Sequence, residues 1–290
     1  MTEQVPRPLV SIVIPSKNGG ERLGEALGKI FRQEVPFSFE VVVVDSGSSE
    51  ETLKIIRQFP VHLHGLPPSE FNHGLTRDLG ASLARGDYLV FLNQDAVPSG
   101  TKWLVGLVEP LILSDEYAAV QGGNQERERT HKFFWDSCGS SFYFTRPSER
   151  WIARYDGIGF STVNAAMRKQ VWQELPFGEA PIMEDKKWQK AAVARGHKIL
   201  YRSEVAVVHS HDYDLKGLLQ RCQREGFGWR LVGVKYGLLE MLYDLFSPRK
   251  YGALMAGLWH GEVQSLAEVL YPFLRPLLEF KGNRINNSYK

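Results

Sequence analysis

The sequence predicts an α/β fold: a mostly parallel, twisted, Rossmann-like sheet with helices on both faces, followed by a helical extension. Three observations lead there. Short β-branched runs alternate with amphipathic stretches between Val10 and Gln121. Each run closes on polar or turn-forming residues, as buried strands do. From Leu215 the periodicity turns helical and stays so to about Phe280. Strand–helix alternation implies crossover connections, which make neighbouring strands parallel.

The elements follow in order. Val10-Ser-Ile-Val-Ile14 reads as a buried strand stopped by Pro15. Leu23, Ala26, Leu27, Ile30 and Phe31 form one face of an amphipathic helix. Glu40-Val-Val-Val-Val44 is a second strand, ending at Asp45. Ser48 and Glu51 have capping-box spacing ahead of Leu53 and Ile56, which predicts a second helix. Residues 61–64 give a short third strand. Leu75, Leu79 and Leu83 mark a helix that ends at Gly86. Tyr88–Leu92 is a strand running into Asn93-Gln94-Asp95. Trp103, Leu104, Leu107, Val108 and Leu111 define a further helical face, with a strand at Ala118–Gln121. The alternation lapses after Gly123, where 124–160 is rich in charge and in aromatics such as Phe133, Phe134, Trp135, Phe142, Tyr143 and Trp151. Thr162–Met167 then reads as a strand and Val171–Leu175 as part of a helix. A helix opens at Glu184-Asp185 and ends near Gly196, and Val205–His209 is an apolar strand.

Composition narrows the function classes. The chain has 290 residues, 43% hydrophobic and 23% charged, which is ordinary for a globular protein with a sizeable core. A net charge of +2 names no acidic partner, and no dense basic patch marks a nucleic-acid binder. Cys138 and Cys222 lie far apart and form no CxxC pair, which argues against a disulfide framework or structural zinc and fits a reducing compartment. The first eight residues lack the apolar run of a signal peptide. The apolar stretch 251–280 is interrupted by His260, Glu262, Glu268, Arg275 and Pro276, so it does not read as a span, although it suits an interfacial helix. The expected location is the cytoplasm, with peripheral contact at the inner face of the cytoplasmic membrane as one option.

Ligands of such sheets bind at the carboxyl ends of the strands. Polar clusters stand at those ends: Ser16-Lys-Asn18, Asp45-Ser46-Gly-Ser48 and Gln94-Asp95. Asp45 reads either as an acceptor for a ribose hydroxyl or base N–H, or as a turn residue in Asp-Ser-Gly. Asp95 reads either as an oxygen ligand for Mg²⁺ or Mn²⁺ against a diphosphate, or as a loop acid before Pro98. Glu184 and Asp185 suit the N-terminal end of a helix dipole, and equally a general base for an acceptor hydroxyl. His209 and His211 flank Ser210 after a strand and offer imidazoles to metal or phosphate; His62 and His64 have the same spacing and read as surface residues. Arg77 reads as a phosphate contact or an exposed salt bridge. The aromatics of 133–151 read as sugar-stacking rings or, for most of them, a small core under a long loop, and the two cysteines as ordinary thiols.

Taken together, Val10–Asn18, Val41–Ser48, Asn72-His-Gly-Leu-Thr-Arg77, Tyr88–Ala96, Glu184–Trp188 and His209 resemble the inverting family 2 glycosyltransferases of GT-A fold. The joint order and spacing carry the resemblance, over about 8–212. It implies a GT-A domain over 1–212, with 8–123 the nucleotide-sugar half and 124–212 the acceptor and catalytic half, and a helical extension over 213–290. It implies Asp45 at the nucleotide base or ribose beside Pro15 and Ser16, Arg77 near the donor phosphates, and Ser46 and Gln94 among the residues that bind the donor. Asp95 would be the retained acid of a DxD element for a divalent cation, Mg²⁺ or Mn²⁺, and His209 would complete the metal or diphosphate site. Asp185 would be the catalytic base, with Glu184 supporting it or contacting the acceptor. Asn93 departs from the pattern, where the first Asp is usual, and offers a neutral oxygen instead. Phe71-Asn-His-Gly74 and Asn93-Gln-Asp-Ala96 most resemble bacterial rhamnosyltransferases of polysaccharide assembly, which implies a dTDP-L-rhamnose donor and a saccharide or lipid-linked acceptor. The helical extension would cover the acceptor side, pair subunits or rest on a membrane. Two rival readings are a sugar nucleotidyltransferase, for which Pro15–Gly20 is a poor glycine-rich loop, and a non-catalytic nucleotide-sugar binder or scaffold.

Overall fold

The structure, a computed structural model, describes residues 7–127, 133–138, 144–155, 157–209 and 214–285. The strands are β1 (Val10–Ser16), β2 (Phe39–Asp45), β3 (His62–Gly65), β4 (Tyr88–Leu92), β5 (Val97–Pro98), β6 (Tyr117–Gln125), β7 (Asn164–Arg168) and β8 (Lys198–Val208). The helices are α1 (Gly20–Ile30), α2 (Glu50–Ile56), α3 (His73–Leu83), α4 (Trp103–Leu113), α5 (Phe134–Ser137), α6 (Arg146–Arg154), α7 (Lys169–Glu174), α8 (Glu184–Ala194), α9 (Leu215–Leu231), α10 (Leu238–Leu245), α11 (Pro248–Trp259) and α12 (Leu266–Gly282). The chain divides into a unit of 1–127 with 159–210 and a unit of 128–158 with 211–290.

The first unit holds an eight-stranded sheet in the order β3-β2-β1-β4-β7-β6-β8-β5. The β3-β2-β1-β4 half is parallel, as the alternation predicts. Beyond β4 the sheet is mixed: β7 runs antiparallel to β4 and β6, while β8 is parallel to β6 and antiparallel to β5. The central strands are buried runs rather than alternating ones, as expected where helices cover both faces. The predicted faces of α1 and α4 are the observed ones, with Leu23, Leu27, Leu104 and Leu107 in the main core.

Several boundaries and faces differ from the sequence reading. The first residue of α2 follows Ser49, not Ser48, and no side-chain cap forms there; the Ser48 hydroxyl turns to Asp45 instead. In α3 the predicted leucines face outward, Leu75 and Leu83 being exposed, while Gly74, Thr76, Arg77, Gly80 and Ala81 face inward. Small residues are needed because the helix lies almost on the sheet: a Cβ at Gly80 would sit 2.4 Å from Val13 Cγ1. The helix ends at Leu83, before Gly86. Strand β8 begins at Lys198, well ahead of the apolar stretch at its end.

In the second unit, the helical stretch from Leu215 is divided among the described residues into four helices. Phe134 and Trp135 pack with Leu218, Cys222, Leu254 and Tyr271 into a separate core. The core reading of these aromatics therefore holds, and 128–158 clusters with the C-terminal helices rather than with the sheet. Phe142, Tyr143 and His211 lie outside the described residues. Cys138 and Cys222 are free thiols; burial pushes the Cys222 thiol up to about 12. No helix among the described residues is long and apolar enough to cross a membrane.

Candidate active site

The first unit holds Pro15, Ser16, Asp45, Ser46, Arg77, Gln94, Asp95, Glu184, Asp185 and His209, and most meet along one rim. At the ends of the parallel strands, β1 and β2 are in register from Val10–Phe39 to Ser16–Asp45. Asp45 is buried and closes a turn: the N–H groups of Gly47 and Ser48 donate to its Oδ2 at 3.1 and 2.9 Å, and the Ser48 hydroxyl donates to Oδ1. The turn reading of Asp45 is thus satisfied, and it fixes the carboxylate at the strand end. Ser46 donates from both N–H and Oγ to Ser16 C=O, at 2.8 and 3.0 Å. Ser16 itself is buried, and its Oγ has no hydrogen-bond partner. An orphaned buried hydroxyl costs free energy unless a ligand satisfies it. Pro15 ends the apolar part of β1 and is half-buried.

Gln94 ties the next loop to the first. Its Oε1 accepts from Lys17 N–H at 2.8 Å and its Nε2 donates to Lys17 C=O at 3.1 Å. The Gln94 amide is therefore committed to the main chain, and it joins the β4 end to the β1 end. Beside it, Asp95 Oδ1 lies 3.4 Å from His209 Nε2. Sheet register explains that meeting: Val97 pairs with Val208, so the residues flanking β5 and β8 approach each other. The His209 N–H also donates to Gln125 C=O at 3.0 Å.

Arg77 occupies the centre. The sequence reading allowed an exposed salt bridge, but the guanidinium is buried because α3 turns this face onto the sheet. Its Nη2 donates to Asn93 Oδ1 at 2.9 Å, and its Nη1 donates to His73 C=O at 3.1 Å and lies 3.2 Å from Glu184 Oε1. Nε has no hydrogen-bond partner. Thr162 Oγ1 also donates to Glu184 Oε1, at 2.9 Å. Burial alone would raise the Glu184 carboxyl, but Arg77, His73 and the Thr162 hydroxyl outweigh it and hold the group below its usual range.

Asp185 is half-buried, with its Oδ1 accepting from Lys186 N–H at 2.7 Å and its Oδ2 3.5 Å from Lys186 Nζ. Burial holds its carboxyl above the ordinary aspartate value; Lys186 opposes that, the Glu184 charge adds to it, and Arg77 opposes it more weakly. Lys186 is itself held by carbonyls, its Nζ donating to Gly159 C=O at 3.1 Å. The acid pair thus divides: Glu184 is an ionised anchor and Asp185 a carboxylate with raised proton affinity.

The loop that delivers this pair is pinned to α3 by residues whose work the sequence reading missed. Asn72 caps α3 by accepting from Gly74 and Leu75 N–H, and its Oδ1 also accepts from Ala180 N–H at 2.9 Å. Asp78 accepts from Trp172 Nε1, Phe177 N–H and Gly178 N–H at 2.7–3.1 Å. A Cβ on Gly74 would lie 2.0 Å from Gly178 O. Met183, directly before Glu184, has φ +57°, a left-handed conformation that non-glycine residues seldom adopt. The Asn before His-Gly was legible as an N-cap; the clamp across to Ala180 was not.

A divalent cation fits this site only in part. Asp95 and His209 supply one carboxylate and one imidazole, while Asn93 Oδ1 is engaged by Arg77. Among the described residues no cluster of three His, Cys, Asp or Glu forms a metal cage. Two protein ligands completed by substrate phosphates are the usual arrangement for Mg²⁺ at a diphosphate. A cavity of about 310 Å³ lined by Glu40, His62, His64 and Arg85 lies by the opposite end of β2 from Asp45.

A mixed sheet with acids gathered at its carboxyl ends, beside a carboxylate of raised proton affinity, defines a transferase of the GT-A class. A family model described as glycosyltransferase-like family 2 matches residues 6–228, and the chain belongs to that family. It is 28% identical over 221 residues to an O-antigen chain rhamnosyltransferase of Salmonella typhimurium, covering 73% of this chain and 69% of that protein. It is 29% identical to a glycosyltransferase of Haloferax volcanii, covering 70% and 67%. In fold it is similar to a mannosyltransferase from Pyrobaculum calidifontis solved with GDP-Man and Mn²⁺, at a TM-score of 0.59 and 16% identity, over 96% of this chain and 86% of that one. It is also similar to glucosyl-3-phosphoglycerate synthase from Mycobacterium tuberculosis with UDP, at a TM-score of 0.59 and 18% identity, over 78% and 81%. The protein is a glycosyltransferase.

Proposed function

We propose that the enzyme is an inverting rhamnosyltransferase that moves L-rhamnose from dTDP-L-rhamnose to a hydroxyl of a saccharide or lipid-linked saccharide in cell-surface polysaccharide assembly, on the cytoplasmic side of the membrane. The observation that carries the chemistry is the hydrogen-bonded rim running from Asp45 through Ser16, Lys17 and Gln94, together with the Asn93–Arg77–Glu184 bridge beside Asp185. The rhamnosyl assignment leans on the O-antigen relative.

Asp45 and the Ser16 hydroxyl hold the nucleoside. Asp185, ionised, accepts the proton of the acceptor hydroxyl, and that oxygen attacks the anomeric carbon on the face opposite the diphosphate. The transition state is oxocarbenium-like, as in other glycosyl chemistry, and the configuration inverts as the nucleoside diphosphate leaves. Asp95 and His209 are the residues that would hold a divalent cation, which when bound stabilises charge on the leaving diphosphate. Glu184 contacts no reacting atom in this scheme; it positions Asp185 and keeps its proton affinity high. The test is a thermal-shift panel of nucleotide sugars with and without Mn²⁺, since a ligand of the native state raises its melting temperature. A selective shift by dTDP-L-rhamnose is the expected result. A selective shift by another donor overturns the rhamnosyl assignment, and release of pyrophosphate from a nucleoside triphosphate overturns transfer.

A further inference from the structure

Helix α10 is amphipathic the wrong way round for water. Its inward residues are Met241 and the acid Asp244, which accepts from Tyr236 Oη at 2.8 Å and faces Lys250 Nζ at 3.8 Å. Its outward side carries leucines and an aromatic ring: Leu239 is 79% exposed, Tyr243 is exposed, and Phe246 just beyond the helix is 69% exposed. On α11, Met255 and Trp259 are exposed, Trp259 to 88%. A helix in solution normally buries its apolar side and wets its polar one, and single exposed apolar residues need no explanation whereas a row of large ones does.

Charge selects the occupant. The guanidinium of Arg146 sits 3.8 Å above the Tyr243 ring, so a cation is seated on the apolar row itself. Arg249 is exposed at the start of α11, and Lys235 just before α10. Glu149 lies among Arg146, Arg249 and Lys250, and burial with the nearby Asp244 holds its carboxyl above the usual range. Glu225, Glu268 and Glu279 are turned inward to arginines or main-chain N–H groups, while Glu240 in the first turn of α10 is half-buried and Glu262, past the end of α11, is exposed. Apolar and aromatic side chains flanked by arginines and lysines are the chemistry of a helix lying in the interface of an anionic bilayer. Two-fold pairing of two copies through the same face would instead place two copies of the same set of arginines in one interface.

We propose that the α10–α11 face is a peripheral docking surface for a bilayer containing anionic lipid, with Leu239, Phe246 and Trp259 as the inserted side chains and Arg146 and Arg249 as the headgroup contacts. The proposal is independent of the donor and of the catalytic reading. The test is flotation of the full chain with phosphatidylcholine vesicles, with and without about 30 mol% phosphatidylglycerol. Binding should rise at least about tenfold with the anionic lipid and fall as salt shortens the screening length. Phe246→Ser with Trp259→Ser should abolish it, and Arg146→Gln with Arg249→Gln should remove the preference for anionic vesicles, with melting temperatures and circular dichroism unchanged. No binding to either vesicle, or binding that survives the Phe246 and Trp259 changes, overturns the proposal. So does a dimer in light scattering that those changes split while vesicles capture nothing, which would assign the face to a second copy.

Discussion

Replacing Arg77 by Met tests whether the buried guanidinium is what holds Glu184 ionised. The two charges stand 3.2 Å apart with side chains only 5% and 6% exposed. Coulomb's law at an effective dielectric near 20 puts their attraction at about 5 kcal/mol. Most of that offsets the desolvation of both ions, so the intact pair adds little net stability. Removing Arg77 alone is different: it leaves Glu184 buried with the Thr162 hydroxyl as a neutral donor, and an uncompensated buried charge costs about 3–5 kcal/mol. In a chain of this size the loss corresponds to a fall of about 5–8 °C in melting temperature. Adding Glu184→Gln removes the stranded charge while keeping the side-chain shape, so the double variant should regain more than about half of the loss, a non-additive result expected only of coupled sites. The pH dependence has a definite sign. The Glu184 carboxyl is held below its usual value, so its stabilising contribution is complete above the ordinary carboxylate range and is lost as the pH falls through the lowered folded value. The difference between wild type and Arg77→Met should therefore shrink in acid. Melts of wild type, both single variants and the double variant, followed by circular dichroism, decide the matter. An Arg77→Met protein within about 1 kcal/mol of wild type, or a double variant equal to the sum of the singles, refutes the argument.

The remaining expectations concern the base, its loop and the cation. Asp185→Asn should lower kcat by about 10²–10⁴-fold with donor affinity in calorimetry within a few-fold of wild type; unchanged turnover removes Asp185 from the role of base. Glu184→Gln removes a charge that raises the Asp185 carboxyl, so the acidic limb of kcat/KM should move to lower pH; a limb that stays put or rises contradicts the coupling. Met183→Gly should leave stability within about 1 kcal/mol, because relief at φ +57° offsets the added chain entropy, whereas Met183→Val should melt earlier; equal melts would show no strain at that position. Gly74→Ala, whose Cβ would meet Gly178 O at 2.0 Å, should displace the loop before Glu184 and cost about 1–3 kcal/mol, with kcat falling more than KM changes. Asp95→Asn should raise the Mn²⁺ concentration needed for half-maximal activity about tenfold or more; an unchanged metal titration sinks the Asp95–His209 assignment.

Much of the sheet was legible because buried strands write themselves as continuous β-branched runs, as at Val10–Ile14 and Glu40–Val44. Strand ends, and hence the rim acids Asp45 and Asp95, followed from that. Helix α3 was legible as a helix but not in its orientation. Leucine spacing reports the buried face only where bulky side chains fill the gap, and here Gly80 lets the helix rest on Val13. The first half of β8 escaped notice because Ile199, Leu200 and Tyr201 form one short run between Lys198 and Arg202 with no two-fold apolar period, and Tyr201 is exposed. The placing of Asp185 at a helix start was legible from its neighbours in sequence. The Arg77–Glu184 pair and the Asn72 clamp on Ala180 were not, since each joins segments that only the fold brings together.

Asn93 also changes the meaning of the acids around it. It accepts from Arg77 Nη2 through its amide oxygen. An aspartate there would be a second carboxylate drawing on the same guanidinium, and Arg77 would be shared between it and Glu184. With a neutral amide, the full cation is left to Glu184, which stays ionised at low cost. The Glu184 charge in turn adds to burial in keeping the Asp185 carboxyl high, and a carboxylate of higher proton affinity is the stronger base towards an alcohol. On the proposed roles, the residue that takes one charge away from the cation side of the site therefore supports the proton-accepting side. The same logic predicts the direction of its reversal: Asn93→Asp gives the cation a better partner beside Asp95 and weakens the hold of Arg77 on Glu184. On the proposed roles, a gain at the diphosphate and a loss at the base should come from one substitution, because Asn93 and Glu184 share a single buried guanidinium.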